Sequence, residues 1–454
     1  MKCFMQFGGK MYNIIDFGAK NDGVTNSTFA VRKAVDECVK NGGGVVYIPY
    51  GTYVLASVQI FSNIHFVFEP GAKILGSLNP DDFDERENLN YPLYQDYSHS
   101  YFHRSMFWGE NVENVSFSGM GIIDMREVWE RDSENGEDEW RSRRAVKIIS
   151  VKEGKNIDIT DLKMYNATDL AVYLAGCENV RISGLTMHVN IDGISPDCCK
   201  NVVISDCNIV SGDDGIVLKS SYTLNRKQLC ENIVVSNCTV SSRMCAIKLG
   251  TESNGGFKNI AISNCAVYDT CYTGVALEIA DGGEIDGITV SGIVMKNVGT
   301  PFIIMLTDRR RAPEDTTIGK IKNIVIDNIT ATGPYGYIYP IRYTTTLPEG
   351  ELHNKPLIIA SSVIGQPDEK IENISLSNIF LTVPGGGTEN DRNIIVPEVP
   401  DATPSARANG LTLPASGIYF RHAKNVTLNN VNIYTLKEDA REDMVFDDVD
   451  NLKK

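Results

Sequence analysis

Two short acidic segments hold the side chains best suited to acid–base work in this 454-residue sequence: NIDG, Asn190 to Gly193, and SGDDG, Ser211 to Gly215. Asp192 and Asp213 are 21 residues apart. A chain that repeats near that period brings Asp192 beside Asp213 and Asp214 on one side of the structure. Carboxylates that close cannot all ionise easily, so at least one should hold its proton and serve as an acid. One carboxyl that protonates a leaving oxygen and another that activates water are the requirements of glycoside hydrolysis. Other readings of the same residues stay open. Clustered aspartates are hard oxygen ligands for Ca²⁺, Asp beside Gly caps turns, and the group could equally be solvated surface.

The chain does repeat. An alternating heptad, Asn-apolar-any-apolar-any-Asn/Asp/Gly-apolar, reads NVSFSGM from Asn114, NIDITDL from Asn156, NVRISGL from Asn179 and NVVISDC from Asn201. It returns from Asn232, Asn259, Asn323, Asn373 and Asn425, with a near-copy from Gly287. The shortest steps are 22 and 23 residues, and longer steps hold an outward loop or a coil with a degraded motif. Alternation over a few positions marks a strand with one buried face. The period is too short for helix pairs and lacks the leucine-rich pattern. An all-β parallel β-helix is expected, its coils ~4.8 Å apart, so that like residues stack into ladders. Cys207, Cys238 and Cys265 share one repeat position and are read as an interior stack, with the leading asparagines as a turn ladder.

The whole chain reads as a single β-helix domain. Residues 27–41, STFAVRKAVDECVKN, form the one clear amphipathic helix, stopped by three glycines, and should cap the N-terminal coil. Residues 79–108, aromatic-rich, and 126–144, charge-dense, read as loops flanking a cleft. Residues 385–416 read as another long loop and 438–454 as a solvated acidic tail.

With 43 basic and 58 acidic residues the net charge is −15, which repels nucleic acid and anionic lipid. No apolar run approaches the ~20 residues of a membrane span. The opening, MKCFMQFGGKMYNIIDFGAKNDG, has no continuous apolar stretch of the export type. The eleven cysteines form no short disulfide framework, so reduced thiols and a cytoplasmic location are expected. No metal-type cysteine pair such as CxxC occurs, and monomer and homo-oligomer both stay open.

From Asn13 to about Asn430 the sequence resembles the family 28 glycoside hydrolases, the polygalacturonase family. The opening NIIDFGAKNDGVTNSTFAVRKAV, the NIDG and GDD segments with PDCCKNVVISDC between them, and LGTESNGGFKNI carry the resemblance. It implies a right-handed parallel β-helix and inverting hydrolysis of galacturonides or rhamnogalacturonides without a metal or cofactor. Position by position it implies Asp213 as general acid, Asp192 and Asp214 as the carboxylates that position and deprotonate water, and Asn190 as an orienting residue.

The departures narrow the expectation. Ile191 replaces the motif threonine, and the family histidine is missing from SSRMCA, where Arg243 and Cys245 stand. The family's Arg-Ile-Lys motif, which grips a substrate carboxylate, falls on Ala276 and Glu278, and Glu278 would repel such a group. Substitute cations are Lys248, Arg309, Arg310, Arg311 and Arg342. Glu252 is a candidate sugar contact, as bacterial exo-acting members also carry Glu there. His103 and Trp108, in YSHSYFHRSMFW, are candidates for sugar stacking. The reading is an inverting, exo-acting glycosidase that removes a terminal galacturonic acid or rhamnose from small pectin-derived oligosaccharides. A lyase or epimerase on the same fold, with Arg243 acidifying the C5 proton, and a non-catalytic glycan-binding β-helix are the alternatives.

Overall fold

The computed structural model describes residues 10–126, 145–336 and 356–454. Arg342 and nearly all of the 126–144 loop fall outside them. The chain divides into two compact units, up to Asn208 and from Ile209 onward. Each is a stack of parallel coils, and the fold is a parallel β-helix.

In the first unit three files of parallel strands run side by side. One holds Gly44–Ile48, Ile64–Phe68, Glu113–Gly119, Lys155–Thr160, Glu178–Ser183 and Lys200–Ser205. The second runs through Gly51–Leu55, Ala72–Gly76, Ile122–Asp124, Lys163–Tyr165 and Thr186–Val189. The third runs through Val58–Gln59, Ser105–Glu110, Lys147–Lys152, Val172–Ala175 and Ile194–Asp197. The heptad is the first-file strand with the turn into the second. Its alternate apolar residues, such as Val180, Ile182 and Leu185, are buried. Its leading asparagines take left-handed backbone, with φ near 56° from Asn114 to Asn201. That conformation disfavours most side chains but suits Asn. Their side-chain amides then link coil to coil, Asn201 to Asn179, Asn179 to Asn156 and Asn156 to Asn114, at 2.9–3.1 Å.

The helix spans Thr28–Lys40 and buries Ala30, Val31, Ala34, Val35 and Cys38 against the first coil. Asn26 Oδ1 accepts the Thr28 N–H at 3.0 Å, and Gly42 follows with φ 84°. The loop after Leu78 ends earlier than its composition suggests, because Ser105–Glu110 is a third-file strand.

The second unit repeats the same three files with longer strands that turn corners without a break, such as Glu284–Leu306 and Ala415–Thr435. Its asparagine ladder runs Asn451 to Asn425 to Asn373 to Asn323 at 2.8–3.0 Å. Cys238 and Cys265 are stacked and buried, as the repeat implies. Residues 385–416 form a long connection that nevertheless tucks Val396, Ala406 and Leu413 into an apolar cluster.

The acidic segment exposes its acids to solvent but is not a tail. Glu442–Lys453 is a strand, parallel to Ala415–Thr435, with Met444, Phe446, Val449 and Leu452 opposite Ile418, Phe420, Ala423 and Val426. Phe446 stacks on Phe420 at 5.0 Å. Lys370 pairs Asp448 and Asp450, which makes the acids tolerable on its outward face.

Candidate active site

Both acidic segments occupy turns that lead into third-file strands. In the first unit Asp192 lies between Thr186–Val189 and Ile194–Asp197, buried, with Ser195 Oγ donating to its Oδ2 at 3.4 Å. Asn190 is buried beside it in sequence, and Ile191, in place of the motif threonine, fills the core.

In the second unit Asp213 and Asp214 precede the strand Ile216–Ser220 and meet different surroundings. Asp213 is half-buried, its main-chain oxygen held by the hydroxyls of Ser211 and Ser242. Asp214 is buried, its Oδ1 accepting the Cys245 N–H at 3.0 Å and its Oδ2 facing Lys248 Nζ at 2.9 Å. Gly215 is required here, since a Cβ would stand 2.4 Å from Val240 and 2.6 Å from the Ala246 oxygen.

Behind Asp214 lies a buried ionic network. Lys248 Nζ is 3.7 Å from Glu278 Oε2. Burial opposes the Lys248 charge, but Asp214 and Glu278 outweigh it and hold the ammonium well above the usual lysine range. Burial pushes Glu278 up to about 7, against the pull of Lys248. Arg309 forks onto Asp281, with Nε at 3.0 Å, and stands 3.8 Å from Glu252, whose other oxygen faces Lys219 at 3.3 Å. A strand irregularity sets Lys219 against Gly250, Thr251 and Glu252 together, which is how the lysine reaches Glu252.

Several expectations change in this light. Glu278 and Glu252 are 1% and 5% exposed, so they lie beneath the surface as parts of this network rather than as open sugar contacts. Arg309 is likewise committed to Asp281, while Arg310 and Arg311 next to it are exposed, Arg310 paired with Asp308. Cys245, in the place of the missing histidine, contributes its amide. Its thiol is pushed far up by burial and by Asp214. Arg243 is half-buried, and its charge partly offsets the burial that raises Cys271.

In the first unit Trp108 is 9% exposed, donates to Asp84 at 2.8 Å and stacks on His103 with ring centroids 3.8 Å apart. The pair anchors the loop that precedes it, so Trp108 offers no open stacking platform. Burial opposes the charged form of His103, but Glu110, Glu87 and Asp84 raise its pKa overall. Oxygens of Glu87 and Glu110 and a His103 ring nitrogen lie within 4.8 Å of one another, a spacing that would suit a metal. Glu87, however, accepts the Phe102 and His103 amides, and Glu110 pairs Lys152, so the cluster is explained as a loop tie.

Lys219 and Asp281 escaped the sequence reading, as did the buried pair of Lys147 and Asp169, 2.9 Å apart in the first unit. The available signal was a charged residue within a strand of otherwise apolar residues, as in IVLKSS.

The fold is a parallel β-helix whose turns carry aspartates just ahead of strands in each unit. Residues 88–338 match the sequence model of Glycosyl hydrolases family 28, and the chain belongs to that family. A probable polygalacturonase of Vitis vinifera is 28% identical over 310 residues, 64% of this chain and 62% of its own length. The chain thus spans under two thirds of that relative. Among solved structures, the exopolygalacturonase of Thermotoga maritima superposes with a TM-score of 0.68 at 17% identity, covering 94% of this chain and 92% of that one. The family 28 exopolygalacturonase of Yersinia enterocolitica gives 0.69 at 18% identity, covering 98% and 78%. At these identities the two structures speak for the fold.

Proposed function

We propose that the protein is a glycoside hydrolase acting on pectin-derived galacturonides or rhamnogalacturonides, with Asp213 as general acid and Asp192 and Asp214 handling the attacking water. The observation that carries the reading is the contrast between adjacent aspartates. Asp214 is locked by Lys248 and the Cys245 amide, whereas Asp213 reaches partly into solvent. Two carboxyls in unlike surroundings are what divides acid from base. Family membership and the spacing from NIDG to GDD support the inclusion of Asp192.

The finer reading is inversion and exo action on short oligosaccharides. The loop after Leu78 supports it as an obstruction to longer chains. It is pinned by Arg104 on the Pro80 and Asp84 oxygens and by Glu87 on the Phe102 and His103 amides. A buried Glu278 where the family motif places a cation favours a leaving group without a carboxylate. Ten described cysteines, all buried and outside any disulfide, support a reducing, cytoplasmic location. Among the described residues no helix is long and apolar enough to cross a membrane.

The test is incubation with a panel of uronide and rhamnoside oligosaccharides, with products followed by proton NMR. A terminal monosaccharide released with inverted configuration is expected. Retained configuration or no release defeats the reading, and an unsaturated product absorbing in the ultraviolet points to elimination instead.

A further inference from the structure

Glu278 lies near the end of the strand Ala266–Ile279, fully buried, and its Oε2 has no hydrogen-bond partner. Lys248 Nζ stands between two acids, 2.9 Å from Asp214 Oδ2 and 3.7 Å from Glu278 Oε2. The lysine therefore bonds one carboxylate and only faces the other. The remaining charged or titratable groups around Glu278 are Arg309, Glu252 and Asp281 at one side and the Cys245 thiol beyond Asp214. Arg309 is already spent on Asp281. A buried carboxyl with no donor of its own is more stable neutral than charged.

We propose that Glu278 is a proton-holding positioning residue for Asp214, acting through Lys248. With its proton on, Glu278 leaves Lys248 on Asp214, and the Asp214 carboxylate stays fixed between that ammonium and the Cys245 amide. With its proton lost to solvent, Glu278 draws Lys248 toward itself, and Asp214 loses the ammonium that held its Oδ2. Burial raises Glu278 to about 7, so the exchange falls in the neutral range. The inference rests on the proposed role of Asp214 in activating water, but its physical core can be read without activity.

The experiment uses the full chain labelled with ¹⁵N-cysteine. The Cys245 amide donates to Asp214 and reports on that carboxylate directly. Its resonance is assigned by its disappearance in Cys245→Ser, and it is followed from acid to alkaline pH. A step with midpoint near 7 is expected in the unmodified protein and should be lost in Glu278→Gln, a neutral side chain of the same shape. Absence of the step in the unmodified protein overturns the proposal, even if the variant does not fold, and so does its persistence in Glu278→Gln. Where hydrolysis is measurable, the alkaline limb of kcat/KM should move up by about one pH unit or more in Glu278→Gln, with acid-side kcat nearly retained. An unmoved limb also overturns it. If no glycan is cleaved, the functional reading fails while the amide titration still decides the role of Glu278.

Discussion

At the scale of single residues, Asp213 and Asp214 are neighbours with separate tasks, and leaving-group chemistry can tell them apart. A general acid matters most when the departing oxygen is a poor leaving group. Asp213→Asn should therefore slow natural glycosides far more, by about 10²-fold or greater, than activated aryl glycosides. Asp214→Asn should slow both alike, because water must be activated whatever departs. Rate ratios for the two substrate types check this, and equal losses in both variants would remove the assignment of roles. The aspartates were legible in the sequence because the repeat fixes their spacing and glycine marks their turns. Their supporting charges were not. Glu252 and Glu278 read as surface contacts, because burial of a charge is set by partners that arrive from other coils: Lys219 past a strand irregularity, Arg309 from a connection after Leu306.

Among elements, the asparagine ladder links local backbone to coil stacking. Asn179 has φ 57°, donates to Asn156 at 3.1 Å and accepts from Asn201 at 3.1 Å. Asn179→Ala puts a side chain that lacks asparagine's tolerance of left-handed backbone at this turn and removes both bonds, for a loss of about 2 kcal/mol. Asn179→Gly keeps the backbone relaxed and should lose about half as much. Urea unfolding midpoints separate the two, and identical losses would mean that the conformation of the turn carries no cost. The strands and the capping helix were readable because their alternation and helical periodicity are continuous. The last strand, Glu442–Lys453, was not, because acids interrupt its apolar positions and only pairing with the preceding strand shows which side they face. Trp108 failed for a related reason: its composition suits a sugar platform, yet Asp84 and His103 occupy its edge and face.

For the molecule as a whole, buried acids set how stability follows pH. Burial raises Glu278 to about 7 and also raises Asp281, despite the hydrogen bonds that Arg309 gives it. A carboxyl raised on folding stabilises fully below its unfolded pKa of roughly 4.3 and loses that contribution as pH climbs through its folded value. Asp439, lowered to about 2 chiefly by its hydrogen bonds from Arg441, acts in the opposite sense, with its contribution present above roughly 3.9 and lost as pH falls through about 2. The thermal midpoint should therefore peak between about pH 4 and 5 and decline toward 7.5. Calorimetry across that range tests it, and a midpoint that rises from 5 to 7.5 contradicts the account. The final strand carries a different consequence. Among the described residues it pairs on one side only, so its other edge offers a row of free backbone groups. Its five acids, Glu442, Asp443, Asp447, Asp448 and Asp450, and the cations Arg392, Arg421 and Lys370 that pair four of them make this a charged edge, a chemical guard against edge-to-edge polymerisation. That guard is only as durable as its ionisation: in acid strong enough to neutralise it, the unpaired edge of Glu442–Lys453 becomes a template for strand-to-strand growth.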